Sequence, residues 1–362
     1  MYGSPEPNEL NPNILGRDFP VLVTGGAGYM ASWLVKYLLE DGYKVRVTVK
    51  DMEKEDRYRH LTKIAERSKG SLEIFEANLM DPEAFKSSMM GCNIVFHTAS
   101  PYITSGVKNP KTELIDPSVE GTRNVLNAVN KAHSVRKVIF TSALYAIYGD
   151  ATDIIHTQEK VFNESYWNKS STLKHLPLGF AKTVAEREAW RIHDEQTRWK
   201  MAVLNPALCL GPSLTTYSKS GSFDFIRQLA DGSYASGVPN IQHGLVDVRD
   251  VAHAHIFAAQ DEYATGRFML VHETRTMLEV AKTLKQKFGS AFSLPTAELS
   301  YRMLYFFGFT KGLSRKLVIE NVGKKIQFDN SKSRNELGVR YRSIDESAIE
   351  MLQFILDHNM LK

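Results

Sequence analysis

Residues 20–51, PVLVTGGAGYMASWLVKYLLEDGYKVRVTVKD, restrict the fold of this chain more than any other stretch. The apolar, β-branched run 21–24 suits a strand buried on both faces of a parallel sheet. Gly25, Gly26 and Gly28 then permit a tight turn in which backbone can approach a ligand closely. From Met30 the apolar positions Met30, Trp33, Leu34, Tyr37 and Leu38 recur at helical spacing, and Gly42 supplies a stop. A second strand alternates Val45, Val47 and Val49 with Arg46, Thr48 and Lys50. A glycine turn alone would only connect two elements. Set between strand and helix as Gly25-x-x-Gly28-x-x-Ala31, with Ala31 in the usual third-glycine slot, it forms a βαβ unit that cradles a dinucleotide pyrophosphate at a helix N-terminus. Thr24, Gly25, Gly26, Ala27, Gly28, Tyr29 and Met30 are therefore the first cofactor-binding candidates.

Alternation continues downstream. Strands are expected at 72–75, 93–97, 137–142 and 200–205, with helices at 81–91, 117–132 and 179–195. This order gives a doubly wound α/β fold built on a parallel sheet. Residues 149–177 lack a period and read as a long covering loop. Beyond Pro206 the pattern loosens. Helices are expected at 223–230, 251–260 (capped by Asp250), 277–288 and 344–358 (opened by a Ser343–Glu346 capping box), with a strand at 266–271. The expected organisation is a leader over 1–17, a dinucleotide-binding domain over 18–206 and a smaller, mainly substrate-binding lobe over 207–362. Segments of that lobe remain free to return to the first domain.

The chain is 362 residues long, and its 43% hydrophobic and 24% charged content is ordinary for a globular protein. A net charge of +4 on scattered lysines and arginines argues against a nucleic-acid surface. Cys92 and Cys209 have apolar neighbours and read as free thiols in a reducing compartment. No apolar stretch reaches the ~18 residues that span a bilayer, and 1–18 lacks the apolar core of a signal peptide. A cytoplasmic protein with neither nucleic acid nor membrane among its partners is expected. His253 and His255 lie two apart on a helix and diverge, so no metal site is assigned.

Several stretches together resemble one family: VTGGAGYMASWLV, VFHTASP, EGTRNVLNAV, VIFTSALYAIYGD, LNPALCLGPSL and VDVRDVAHAHIFAAQ. The chain resembles the extended short-chain dehydrogenases, most closely the branch of dihydroflavonol reductases, cinnamoyl-CoA reductases and yeast-type aldehyde reductases. The resemblance implies a Rossmann fold and a nicotinamide cofactor. It places Lys50 against the 2′-phosphate of NADP(H), with Val49 where NAD users carry an acid, so NADP(H) is favoured. Asp51 stands near the generic distance for a ribose-binding acid and leaves NAD(H) open. Arg57 is a second phosphate candidate or a plain surface arginine. Asn78 and Leu79 fall beside adenine, and Thr98, Ala99, Ser100 and Pro206 along the rest of the cofactor. Both monomers and homodimers occur in the family.

The resemblance breaks at the catalytic groups. The family reduces a carbonyl with a Ser, a Tyr and a Lys spaced Tyr-x-x-x-Lys. Lys182 matches the lysine, but Leu178 stands at the tyrosine and Ala143 at the serine. Tyr145 is the leading substitute proton donor, with Ser142, Tyr148 and His175 weaker. Their plainer alternatives are packing for Tyr148, a backbone hydrogen bond for Ser142 and a solvent loop for His175. Other possibilities are a substrate that needs no protein acid, or a silent NADP-binding regulator or scaffold. The expected small-molecule pocket is bounded by Tyr102, Tyr145, Leu178, Phe180 and 206–223, and is apolar because of Leu178 and Ala143.

Overall fold

The computed structural model describes residues 15–101, 107–217 and 220–361, with Lys311 described by its backbone only. The opening unit forms as its pattern predicts: β1 (Val21–Thr24), α1 (Tyr29–Glu40) and β2 (Lys44–Val49). All four residues of β1 are buried. Val21 and Val23 enter the hydrophobic cluster beneath α1, while Leu22 enters the cluster on the opposite face. This two-sided burial is what parallel strands with crossover helices require. The chain continues through α2 (Arg59–Ala65), β3 (Ser71–Glu76), α3 (Lys86–Met89), β4 (Ile94–His97), α4 (Asp116–Lys131), β5 (Lys137–Thr141), α5 (Pro177–Asp194) and β6 (Lys200–Pro206).

The second half holds β7 (Leu208–Leu210), α6 (Gly221–Ala230), β8 (Gln242–Asp247), α7 (Val248–Gln260), β9 (Gly266–Leu270) and β10 (Glu273–Thr276). It closes with α8 (Met277–Phe288), α9 (Tyr301–Phe307), α10 (Arg315–Asn321), α11 (Ser331–Asn335) and α12 (Ile344–Asp357). Seven parallel strands make the central sheet in the order β3-β2-β1-β4-β5-β6-β9, and β10-β8-β7 form a small second sheet. Strand order reverses between β1 and β4, and a crevice opens beyond the carboxyl ends of that pair. β9 and α7 return to the first half: β9 pairs with β6, and His253 of α7 stacks on Tyr37 of α1 at 4.1 Å between ring centroids.

Three local expectations are corrected. The 81–91 segment makes only the short α3; Asp81 accepts from the Glu83 N–H as a cap would, but the chain from Pro82 to Phe85 stays in turns before the helix begins at Lys86. α7 starts three residues earlier than expected and is capped by Asp247; Asp250 sits in its first turn and accepts from the Arg342 N–H at 2.7 Å. At α12, Ser343 holds the N-cap position without a side-chain cap bond, and Ser343 and Glu346 are both exposed to water. β7, β8, β10, α2, α9, α10 and α11 lie where no clear period was visible.

Candidate active site

Where β1 hands over to α1, Gly25 takes φ +65°, and a Cβ there would stand 3.0 Å from the Cα and Cβ of Ala99. Gly26 packs against Val47, which a Cβ would meet at 2.7 Å. α1 begins without a side-chain cap and without an acid in its first turn. Its first N–H groups therefore face the crevice at the positive end of the helix, an arrangement that suits an anion. Thr24 acts from behind. Its Oγ1 lies 2.9 Å from His97 Nδ1 and accepts from the N–H groups of Thr98 (3.2 Å) and Ala99 (3.1 Å), which ties the loop after β4 to the end of β1. Burial, with a smaller push from Lys182, lowers the His97 imidazole to about 3, so it stays neutral.

A cleft of about 690 Å³ runs from this turn along the carboxyl edge of the sheet. Gly25, Gly28, Tyr29, Met30, Lys50, Asn78, Leu79, Thr98, Ala99, Ser100, Ser142, Tyr145, Leu178, Lys182 and Pro206 all line it, together with Val49 and Ala143. Thr24, Gly26 and Ala27 support its wall without lining it. Arg57 lies exposed in the 3-10 turn Glu55–Arg57, and Phe180 lies along α5; neither lines the cleft. Tyr102 lies outside the described residues. Asp51 is bonded to Lys54 and accepts from the Glu53 N–H, so it is held off the cleft that Lys50 lines. Tyr29 spends its hydroxyl on the Gly211 carbonyl at 2.6 Å, joining α1 to the segment after β7.

Further along, Lys182 Nζ donates to Ser100 Oγ at 3.1 Å. Burial lowers this ammonium to about 8, opposed by Glu186 one turn on. Ala143 and Leu178 present no polar side-chain atom there. Tyr145 is 37% exposed, and among the described residues its hydroxyl has no hydrogen-bond partner. Burial in the wall raises its phenol, which keeps it protonated. Ser142 is otherwise engaged: its Oγ donates to the buried carboxylate of Glu186, a side chain rather than the backbone. Tyr148 packs, 4.9 Å from Phe162 and 5.4 Å from Phe328 between ring centroids. His175, a weaker proton-donor candidate or else a loop residue in solvent, is neither: it is buried with Nε2 2.8 Å from Asp150 Oδ2 and does not line the cleft.

The decisive residues that sequence reasoning missed are Glu186 and Arg267. Fully buried Glu186 also accepts from Asn205 Nδ2 at 2.7 Å and from Arg267 Nε at 2.6 Å. Arg267 reaches the carbonyls of Glu164 and Tyr166, and its guanidinium lies 4.0 Å from the Trp167 ring centroid. A carboxylate four residues after Lys182 on the same helix was the available signal. At the far end of the cleft Cys209, Ser220, Ser222 and His243 supply sparse polar groups. Burial holds the His243 imidazole down at about 4 and pushes the Cys209 thiol up to about 12. Cys209, Ser220 and Ser222 fall within the 206–223 segment expected to bound the pocket, although not named there individually, whereas His243 of β8 lies outside it.

The profile of the NAD dependent epimerase/dehydratase family matches residues 21–270. The chain belongs to that family. It is similar to cinnamoyl-CoA reductase CAD2 of Medicago truncatula, 38% identical over 75% of this chain and 81% of that one. It is also similar to tetraketide alpha-pyrone reductase 1 of Arabidopsis thaliana, 31% identical over 94% and 96% of the two chains. Among solved structures it matches Gre2 of Candida albicans in complex with NADPH, at TM-score 0.74 and 26% identity, covering 94% of this chain and 99% of that one. These relatives fall in the reductase branch that the motifs indicate.

Proposed function

We propose that this protein is an NADP(H)-dependent oxidoreductase that acts on an apolar organic carbonyl or a related unsaturated compound. The observation that carries this reading is one continuous cleft lined by the uncapped α1 N-terminus, Lys50, Lys182 and Tyr145. The glycine turn fits the cofactor: a side chain at Gly25 would crowd Ala99, so only glycine keeps the turn open, and the uncapped N–H donors of α1 suit an anion. The reductase relatives and the NADPH complex of the Gre2 structure support the same choice.

In this reading Gly25 to Met30 hold the pyrophosphate and Lys50 the 2′-phosphate. Asn78 and Leu79 border the adenine, and Lys182 with Ser100 faces the nicotinamide ribose. When bound, the reduced nicotinamide supplies the hydride for the carbonyl carbon. Tyr145 donates the proton that the oxygen needs as negative charge develops on it. Lys182, still largely an ammonium below about pH 8, favours that charge from beneath. Leu178 and Ala143 exclude water and select an apolar substrate.

The test is NADPH oxidation by purified protein across aldehydes, ketones, enones and imines. Substrate-dependent oxidation is expected, strongest with apolar substrates. NADPH binding without turnover across the panel would overturn the enzyme reading in favour of a silent NADP-binding protein. Leu178→Tyr with Ala143→Ser should raise carbonyl reduction, since it restores an acid and a hydroxyl to the sites where the family carries them. An unchanged rate would show that chemistry here does not run through those positions.

A further inference from the structure

The segment from Leu299 to Ile319 is apolar on its outer face as well as its inner one. In α9 and the turn after it, Leu304 and Gly308 are buried four residues apart, with Leu304 joining Leu299, Val318 and Val322 in a small core. The positions opposite them would be polar on a solvated helix. Here they are Met303, Phe306 and Phe307, followed by Phe309; the three phenylalanines are 57%, 62% and 72% exposed. α10 repeats the arrangement, burying Val318 and exposing Arg315, Lys316 and Ile319. Single exposed apolar residues are common, but a contiguous aromatic patch on one hairpin marks a binding surface.

Charge identifies the partner. Arg302, Lys311, Arg315 and Lys316 lie in the segment, and the two acids at its borders, Glu298 and Glu320, accept from Asn240 and Thr152. Arg302, Arg315 and Lys316 are exposed beside the aromatics, and the Arg315 guanidinium lies 5.6 Å from the Tyr305 ring centroid. A second copy of the chain would set these cations against themselves across a twofold axis, which is repulsive. An anionic lipid surface satisfies both parts: headgroups meet the cations while Phe306, Phe307 and Phe309 enter the acyl boundary and Tyr301 and Tyr305 sit at headgroup level. We propose that the α9–α10 hairpin docks this protein peripherally on anionic membranes. No described helix is long and apolar enough to cross a bilayer, so the contact proposed here is peripheral, and it departs from the expectation of no membrane partner.

Flotation of the full chain with phosphatidylcholine vesicles, with and without phosphatidylserine, tests this. Binding is expected to the phosphatidylserine vesicles and to weaken as salt is raised. Phe306→Ser with Phe307→Ser and Phe309→Ser, and separately Arg302→Glu with Arg315→Glu and Lys316→Glu, should each reduce it by at least roughly tenfold. NADPH binding and the thermal midpoint should stay as in the parent protein, since none of these residues lines the cleft. Phe309→Ser alone removes the most exposed ring without touching a helix and should still lower binding measurably. The proposal fails if the parent protein ignores anionic vesicles or if the variants bind as it does. It fails equally if sedimentation shows a dimer that the phenylalanine variant dissociates, which would assign the patch to a second copy.

Discussion

Tyr145 carries the largest burden of any single side chain in the proposed reaction. It lines the cleft at 37% exposure with no hydroxyl partner among the described residues, whereas Tyr148 lines the same cleft but is packed at 6% exposure and Ser142 is bound to Glu186. Tyr145→Phe removes one oxygen and keeps the ring, so kcat for carbonyl reduction should fall by roughly 10²–10⁴ while the NADPH dissociation constant holds; an unchanged kcat would sink the assignment. Lys50 is exposed at the end of β2, and Asp51 is diverted to Lys54. Lys50→Ala should raise the KM for NADPH by about 10–100-fold and leave that for NADH nearly unchanged, because only the 2′-phosphate loses a charged partner. Equal effects on both cofactors would count against the NADP preference. At this scale the site was half legible. Lys182, Leu178 and Ala143 stand out when the family's short catalytic motifs are laid on the chain, but Ser142 looked available because its partner lies 44 residues away.

Among the elements, α5 organises the site. It presents Leu178 and Lys182 to the cleft and drives Glu186 beneath β5 and β6, where Ser142, Asn205 and Arg267 converge on it. Arg267 arrives on β9 and clamps the loop carrying Glu164 and Tyr166, so helix, sheet edge and covering loop share one buried charge pair. Glu186→Gln leaves the guanidinium without its counter-charge and should destabilise the fold by about 3–5 kcal/mol in denaturant unfolding. Replacing both, Glu186→Leu with Arg267→Met, should recover only part of that loss, because Ser142, Asn205 and the Glu164 and Tyr166 carbonyls lose partners as well; full recovery would show that the ion pair alone matters. The helix itself was readable from its period. Its buried carboxylate was not, since an acid in a helix is ordinarily solvated and only the arrival of β9 makes this one interior.

For the whole molecule, acid sensitivity follows from imidazoles kept neutral inside it. Burial lowers His97 to about 3 and His255 to about 4, and His255 Nε2 lies 2.8 Å from Thr141 Oγ1 while Nδ1–H donates to the Val251 carbonyl. The unfolded chain takes up these protons near pH 6.5, well before the folded one, so the unfolded state is favoured as pH falls from 6.5 towards 4. Each buried imidazole should withdraw on the order of 3 kcal/mol across that window. Chemical denaturation at a series of pH values should show it, and His97→Asn or His255→Asn should flatten the slope. A flat profile in the parent protein would contradict neutral burial.

By itself the sequence determined the strand–turn–helix unit, the parallel alternation through β6, the family and the position of Lys182. The first two rest on burial patterns that repeat with the period of one element; the family and Lys182 rest on short motifs that resemble those of the short-chain dehydrogenases. Tertiary structure alone decided that α7 and β9 return to the first half of the chain. It also decided that Ser142 is captured by Glu186, that His175 is buried against Asp150, and that Met303, Phe306 and Phe307 face outward. Those outcomes depend on which distant segment covers a given face, and no local spacing records that.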